Sequence, residues 1–156
     1  MLAQFSLPIP FSGAPLAARP AGDFPQLPKK SASRVLVVDD EPLFRWSIAE
    51  TLRAHGRDIV EAADARAAIA ALADPATRPD AVLLDLKLPD SDDLSLLASV
   101  RRLAPGRPVI LVTAFGTPEV LGEALRLGAF TVLDKPFDLD DLDDMIERAL
   151  NVGMPN

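Results

Sequence analysis

From Arg34 onward, short apolar runs that end on charged residues alternate with longer amphipathic stretches. Residues 35–38 (Val-Leu-Val-Val) run into Asp39 and Asp40, residues 81–84 (Ala-Val-Leu-Leu) into Asp85, and residues 130–133 (Phe-Thr-Val-Leu) into Asp134, Lys135 and Pro136. The first two runs are of strand length and apolar throughout, the pattern of a central parallel strand buried on both faces. Strands alternating with helices build an open parallel sheet with helices on either side, and such sheets hold ligands at the carboxyl ends of their strands. Carboxylates gathered at that edge repel one another unless a hard cation sits among them. Mg2+ typically uses one or two carboxylates together with phosphate oxygens. A lysine beside them suits a phosphoryl group that comes and goes. The spacing therefore asks for metal and phosphate together.

The remaining elements follow from periodicity and punctuation. After the strand at 34–38, Pro42 stands where a first helical turn accepts proline, and Phe44, Ile48 and Leu52 form a stripe that stops at Gly56. A second strand is predicted over 58–62 and a helix over 65–73, with Asp64 as N-cap and Ala68, Ile69 and Leu72 inward. The third strand is 81–84, followed by a polar turn at 89–93 and a helix carrying Leu94, Leu97 and Val100 as far as Pro105-Gly106. A fourth strand is expected at 108–112. Thr117-Pro118 opens a helix with Val120, Leu121, Ala124 and Leu125, ended by Gly128. The fifth strand is 130–133, and the last helix, about 139–151, buries Leu142, Ile146 and Leu150 behind an acidic first turn. The predicted fold is α/β: a flavodoxin-like, doubly wound five-stranded parallel sheet of order 2-1-3-4-5.

Composition removes several function classes. The chain has 156 residues, ample for one core without staples, and no cysteine, so thiolate chemistry and disulfides are out and a cytoplasmic setting is expected. A net charge of −7 without a Lys/Arg cluster argues against direct nucleic-acid binding. No apolar stretch approaches the roughly 20 residues of a membrane span. Six of the 15 prolines lie within residues 1–33, which read as a disordered tail, with a docking peptide around Phe5, Leu7, Ile9 and Phe11 as the alternative. Residues 152–156 read as a short tail.

Residues 34–151 resemble the receiver domain of two-component response regulators. The resemblance is carried by Val37-Val38-Asp39-Asp40-Glu41, Leu84-Asp85-Leu86-Lys87-Leu88-Pro89-Asp90, Val112-Thr113-Ala114 and Asp134-Lys135-Pro136-Phe137, in that order. The wording from Asp40 to Trp46 and from Val112 to Thr117 is similar to receivers of nitrogen-regulator-type activators. The resemblance implies that Asp85 takes a phosphoryl group from a phosphohistidine. It further implies that Asp40, Asp85 and the Lys87 backbone carbonyl ligate Mg2+, with Asp39 acting through metal-bound water. Lys135, before a cis proline bond, would pair with a phosphoryl oxygen, Thr113 would donate its hydroxyl, and the small Ala114 would leave the nucleophile open. The implied partners are a sensor histidine kinase or a histidine phosphotransfer protein, with output by protein contacts and a homodimer possible.

Other readings weigh against single residues. Asp39 and Asp40 suit a helix N-terminus, Thr113 suits any strand, and His55, the only histidine, suits a helix C-terminus. Trp46 reads as packing or a partial surface anchor, and Lys87 with Phe115 as a control on water access. Two departures from the family pattern stand out. Asp93 occupies the place of a usual glycine, so a left-handed turn there would rest on an aspartate, and Asp90, Asp92 and Asp93 are expected to slow capture of small anionic phosphodonors. Val132 occupies the place of a usual aromatic, and the chain has no tyrosine. Because Asn156 follows soon after the last helix, a single-domain regulator is expected. The rivals are a phosphorylation-independent interaction module and an aspartyl phosphohydrolase, the latter disfavoured because Lys87 stands where its second carboxylate belongs.

Overall fold

A computed structural model describes residues 32–152; the expectations for the two termini lie outside these residues. Strands β1 (Arg34–Val38), β2 (Asp58–Ala62), β3 (Ala81–Asp85), β4 (Val109–Thr113) and β5 (Thr131–Asp134) form one parallel sheet in the order β2-β1-β3-β4-β5. Helices α1 (Pro42–Ala54), α2 (Ala65–Ala73), α3 (Ser95–Leu103), α4 (Pro118–Arg126) and α5 (Leu142–Val152) are the crossovers and the closing helix. The predicted topology is the observed one.

The pleat divides each strand between two cores. Leu36, Val38, Val82, Leu84, Val109 and Leu111 pack with Ala68, Leu72, Leu97, Val100 and Ala124 on the α2–α3–α4 side. Val35, Val37, Leu83, Ile110 and Val112 pack with Ile48, Leu52, Leu142 and Ile146 on the α1–α5 side. With both faces covered, residues 35–38 of β1, 81–84 of β3 and 109–112 of β4 are apolar without a break, and this is why their sequences do not alternate. A guanidinium ties the α1–β2 corner to α5: Arg57 donates from Nε to Asp143 at 2.7 Å and from Nη2 to Glu147 at 2.7 Å.

Boundaries move in an informative direction. β3 includes Asp85, β4 ends on Thr113 and β5 on Asp134, so the strands run one residue further toward the carboxyl edge than apolarity suggests. Pro108 cannot donate to the ladder, although its carbonyl accepts from Val82 N–H at 2.9 Å. Leu94 precedes α3 as its N-cap, and residues 139–141 form a 3₁₀ turn ahead of α5. Ile69 and Leu125, expected inside, are exposed at 40% and 54%. Leu150 is only partly buried. On α4 Ala124 alone is fully buried, because β5 is an edge strand and offers little surface to cover.

Gly128 adopts φ +99°, and a Cβ there would meet Arg101 Nε at 2.6 Å. That same arginine donates from Nη1 to the Arg107 carbonyl at 3.3 Å. Gly122, inside α4, has nothing within 4 Å of an added Cβ. Gly128→Ala is therefore expected to cost about 1–2 kcal/mol, whereas Gly122→Ala should stabilise by about 0.5–1 kcal/mol. Urea unfolding of both variants checks the opposite signs.

Candidate functional site

Register assembles the site. Val38 pairs with Leu84, Asp85 with Val112, and Thr113 with Asp134. Asp39, one step past β1, thus lies abreast of Asp85, and Lys135, one step past β5, lies level with the start of the β4–α4 loop. The Lys135 N–H donates to the Thr113 carbonyl at 2.8 Å, extending the ladder to the residue that carries the ammonium.

Lys135 Nζ donates to Asp39 Oδ2 at 2.9 Å and to Asp85 Oδ2 at 3.2 Å. Asp39 and Asp85 are 2% and 7% exposed, whereas Asp40 is exposed. One carboxylate oxygen from each of Asp39, Asp40 and Asp85 falls within a 4.8 Å group that could hold a metal ion. An open pocket of about 210 Å³ is lined by Asp40, Glu41, Asp85, Lys87, Ala114, Phe115 and Lys135. Thr113 is buried and is not part of that lining. Its Oγ1 accepts the Phe115 N–H at 3.0 Å, which leaves its own proton to be donated elsewhere. The Lys135–Pro136 bond is cis.

Supporting contacts fix these groups. Asp39 Oδ1 accepts the Glu41 N–H at 2.8 Å, and Arg45 donates to the Asp39 carbonyl at 2.7 Å. Lys87 N–H donates to Asp85 Oδ1 at 3.2 Å. The Lys135 ammonium lies 4.5 Å from the centre of the Phe44 ring, which meets Phe137 edge-on at 5.8 Å. Phe44 keeps its expected place in the α1 stripe, partly buried against the α1–α5 core, while the motif wording gave Glu41 and Arg45 no role of their own. Their nearness to the motif was visible, but their direction was not. At Gly116 a Cβ would fall 2.6 Å from Asp134 Oδ1, so a side chain there would require the Asp134 carboxylate to move.

The remaining expectations separate. Lys87 extends over the Phe115 ring at 4.1 Å, spanning the mouth of the pocket. His55 is the C-cap of α1, with Nδ1 2.8 Å from the Thr51 carbonyl, away from the site. Trp46 is 58% exposed and so packs little. Val132 is partly buried against the α2–α3–α4 core. Among the described residues no non-glycine has positive φ, so Asp93 does not take a left-handed turn. It accepts the Ser95 N–H at 2.8 Å, and Asp90 accepts from Ala65 and Arg66 at 2.8 and 3.0 Å. These bonds hold both carboxyls below the usual carboxylate range and commit them to helix N-termini. None of Asp90, Asp92 and Asp93 lines the pocket, whose charged lining is Asp40, Glu41, Asp85, Lys87 and Lys135.

A model of the response regulator receiver domain matches residues 35–147. The chain belongs to that family. It is 38% identical over 120 residues to regulatory protein AtoC of Escherichia coli (strain K12), covering 77% of this chain and 26% of AtoC. To sporulation initiation phosphotransferase F of Bacillus subtilis (strain 168) it is 32% identical over 117 residues, covering 75% of this chain and 93% of that protein. A CheY-like receiver from Methanospirillum hungatei JF-1 superposes with a TM-score of 0.74 at 30% identity, covering 78% of this chain and 96% of that one. The chain spans about a quarter of the length of the AtoC and NtrC proteins it matches. Receiver domains are phosphoacceptor switches in two-component signalling, and this chain carries an aspartate cluster fit for a divalent cation.

Burial pushes the Asp85 carboxyl up, against the pull of Lys135, and Asp39 pushes it the same way as burial. A carboxyl with a higher pKa folded than unfolded binds its proton more tightly in the native state. Stability from this group therefore falls as pH rises between the ordinary carboxylate range and the raised value. Asp85→Asn should accordingly stabilise the metal-free receiver near neutral pH by about 0.5–2 kcal/mol. The gain should vanish in acid, where Asp85 is already protonated. Chemical denaturation at the two pH values reads both parts.

Proposed function

We propose that Asp85 is the phosphoacceptor of a Mg2+-dependent phosphorelay, receiving its phosphoryl group from a phosphohistidine on a sensor kinase or phosphotransfer protein. The observation that carries this reading is the Lys135 ammonium bridging buried Asp39 and Asp85 beside exposed Asp40. An Asp85 oxygen attacks phosphorus, the P–N bond breaks with its electrons passing to the imidazole nitrogen, and an acyl phosphate forms. Asp40, Asp85 and the Lys87 carbonyl would hold the cation, with Asp39 acting indirectly through water. Bound there, the cation would supply charge to offset repulsion between the anionic nucleophile and the anionic phosphoryl group. Lys135 keeps Asp39 and moves its second hydrogen bond from Asp85 to a phosphoryl oxygen, and Thr113 donates its hydroxyl to another. Ala114 leaves the approach clear.

Exposed Leu43, Trp46 and Phe115 offer apolar contact to the donor's surface. The same pocket supports phosphorylation from small donors and slow self-hydrolysis, with no catalytic role toward other substrates. On this reading 34–151 is the receiver unit, flanked by tails at 1–33 and 152–156, and the setting is cytoplasmic. No helix among the described residues is long and apolar enough to cross a membrane. A single-domain regulator is supported by the match along 93% of sporulation initiation phosphotransferase F, and its output would pass through protein contacts.

Acetyl phosphate with Mg2+, followed by intact mass, should give one phosphate adduct on the wild type and none on Asp85→Ala. EDTA should abolish the adduct. Lys135→Met should retain the fold and lose at least roughly tenfold in labelling rate, the scale of a missing charge-assisted hydrogen bond. An adduct that survives Asp85→Ala would assign the acceptor elsewhere.

A further inference from the structure

A second cleft, about 380 Å³ and open on one side, lies between the β3–α3 turn and α4 and shares no lining residue with the phosphoacceptor pocket. Its apolar lining is Leu86, Leu94 and Val120, and its polar lining is entirely carboxylate: Asp92 and Asp93 from the turn, Glu119 and Glu123 from α4. Two of these acids are occupied. Asp93 caps α3 through the Ser95 N–H, and Glu123 pairs with Arg126 at 2.7 Å. Asp92 and Glu119 have no hydrogen-bonding or ionic partner among the described residues, yet they line opposite walls of an apolar floor.

We infer that this cleft docks a basic amphipathic helix of a protein partner. Its apolar side chains would rest on Leu86, Leu94 and Val120, and a Lys or Arg would lie between Asp92 and Glu119. Charge complementarity selects this occupant. An acidic or phosphate-bearing ligand would be repelled by four carboxylates, and a purely apolar one would bury Asp92 and Glu119 without a partner. A volume near the low end for ligand pockets, open along α4, suits the tips of one or two anchoring side chains. A helix supplies such anchors at i and i+3 or i+4, with flanking cations. The proposal does not depend on the chemistry of Asp85, since no residue of the cleft takes part in it.

The test uses unphosphorylated full-length chain and a helical peptide of roughly three turns, with leucines on one face and Lys/Arg beside them, against a counterpart with Glu in place of the cations. The basic peptide should shift the backbone amides of Leu86, Leu94 and Val120 with a Kd of about 0.1–1 mM, weakening with salt. Binding should fall at least about tenfold in Asp92→Lys/Glu119→Lys and less in Glu119→Gln. Glu119→Gln changes only an exposed side chain and keeps the comparison meaningful if the double variant unfolds. Amides unmoved by the basic peptide, or moved equally by the acidic one, would overturn the inference. Concentration-dependent self-association through these residues would also overturn it, assigning the cleft to a second copy.

Discussion

Everything at the carboxyl edge of the sheet is arranged around one ammonium facing an excess of carboxylate. Lys135 neutralises one charge among Asp39, Asp40 and Asp85, so the site keeps a net negative charge. That uncompensated remainder is the kind of charge a divalent cation would relieve, and burial raises the cost of ionising Asp85. A core built to satisfy itself would have paired these charges or done without them. Here stability is surrendered at the one place where chemistry is expected.

The sheet makes that arrangement possible because its register is set by two cores. Alternate residues of β1, β3 and β4 are locked into opposite faces, so a one-residue slip of any strand would exchange side chains between the two cores and spoil the packing of both. Fixed register carries Asp39 level with Asp85. The backbone bond from Lys135 to Thr113 extends the same order past the end of β5. Distant stretches of sequence thus meet with the precision of a ladder, not of a loop.

Much of this was legible in the sequence, for a physical reason. Central parallel strands must be apolar on both faces, so 35–38, 81–84 and 109–112 announce themselves, and a charged residue directly after such a run can only sit at the sheet edge. Strand ends were less legible: Asp85 and Asp134 continue the ladder although their side chains do not look like strand residues, and β4 runs on to Thr113 past the end of its apolar run. Helix faces over an edge strand were misjudged for a related reason. Leu125 has the right spacing, but β5 provides no surface to receive it. The partners of the turn acids were not legible either, because a carboxylate near a motif in sequence can serve a helix N-terminus in space, as Asp90 does for α2. Phe44 packs partly buried against the α1–α5 core as its periodicity indicates, but only tertiary placement shows that its ring also lies beside the Lys135 ammonium.

The central claim is that the unmatched charge at this edge belongs to a cation site made by Asp40 and Asp85. Titration of the metal-free chain with Mg2+, followed by backbone amide shifts, tests it most directly. The account requires saturable changes at residues 39–41, 85–87 and 113–114 that disappear in Asp85→Asn. Changes scattered over the other acidic residues, or a saturable response that persists in Asp85→Asn, would contradict it.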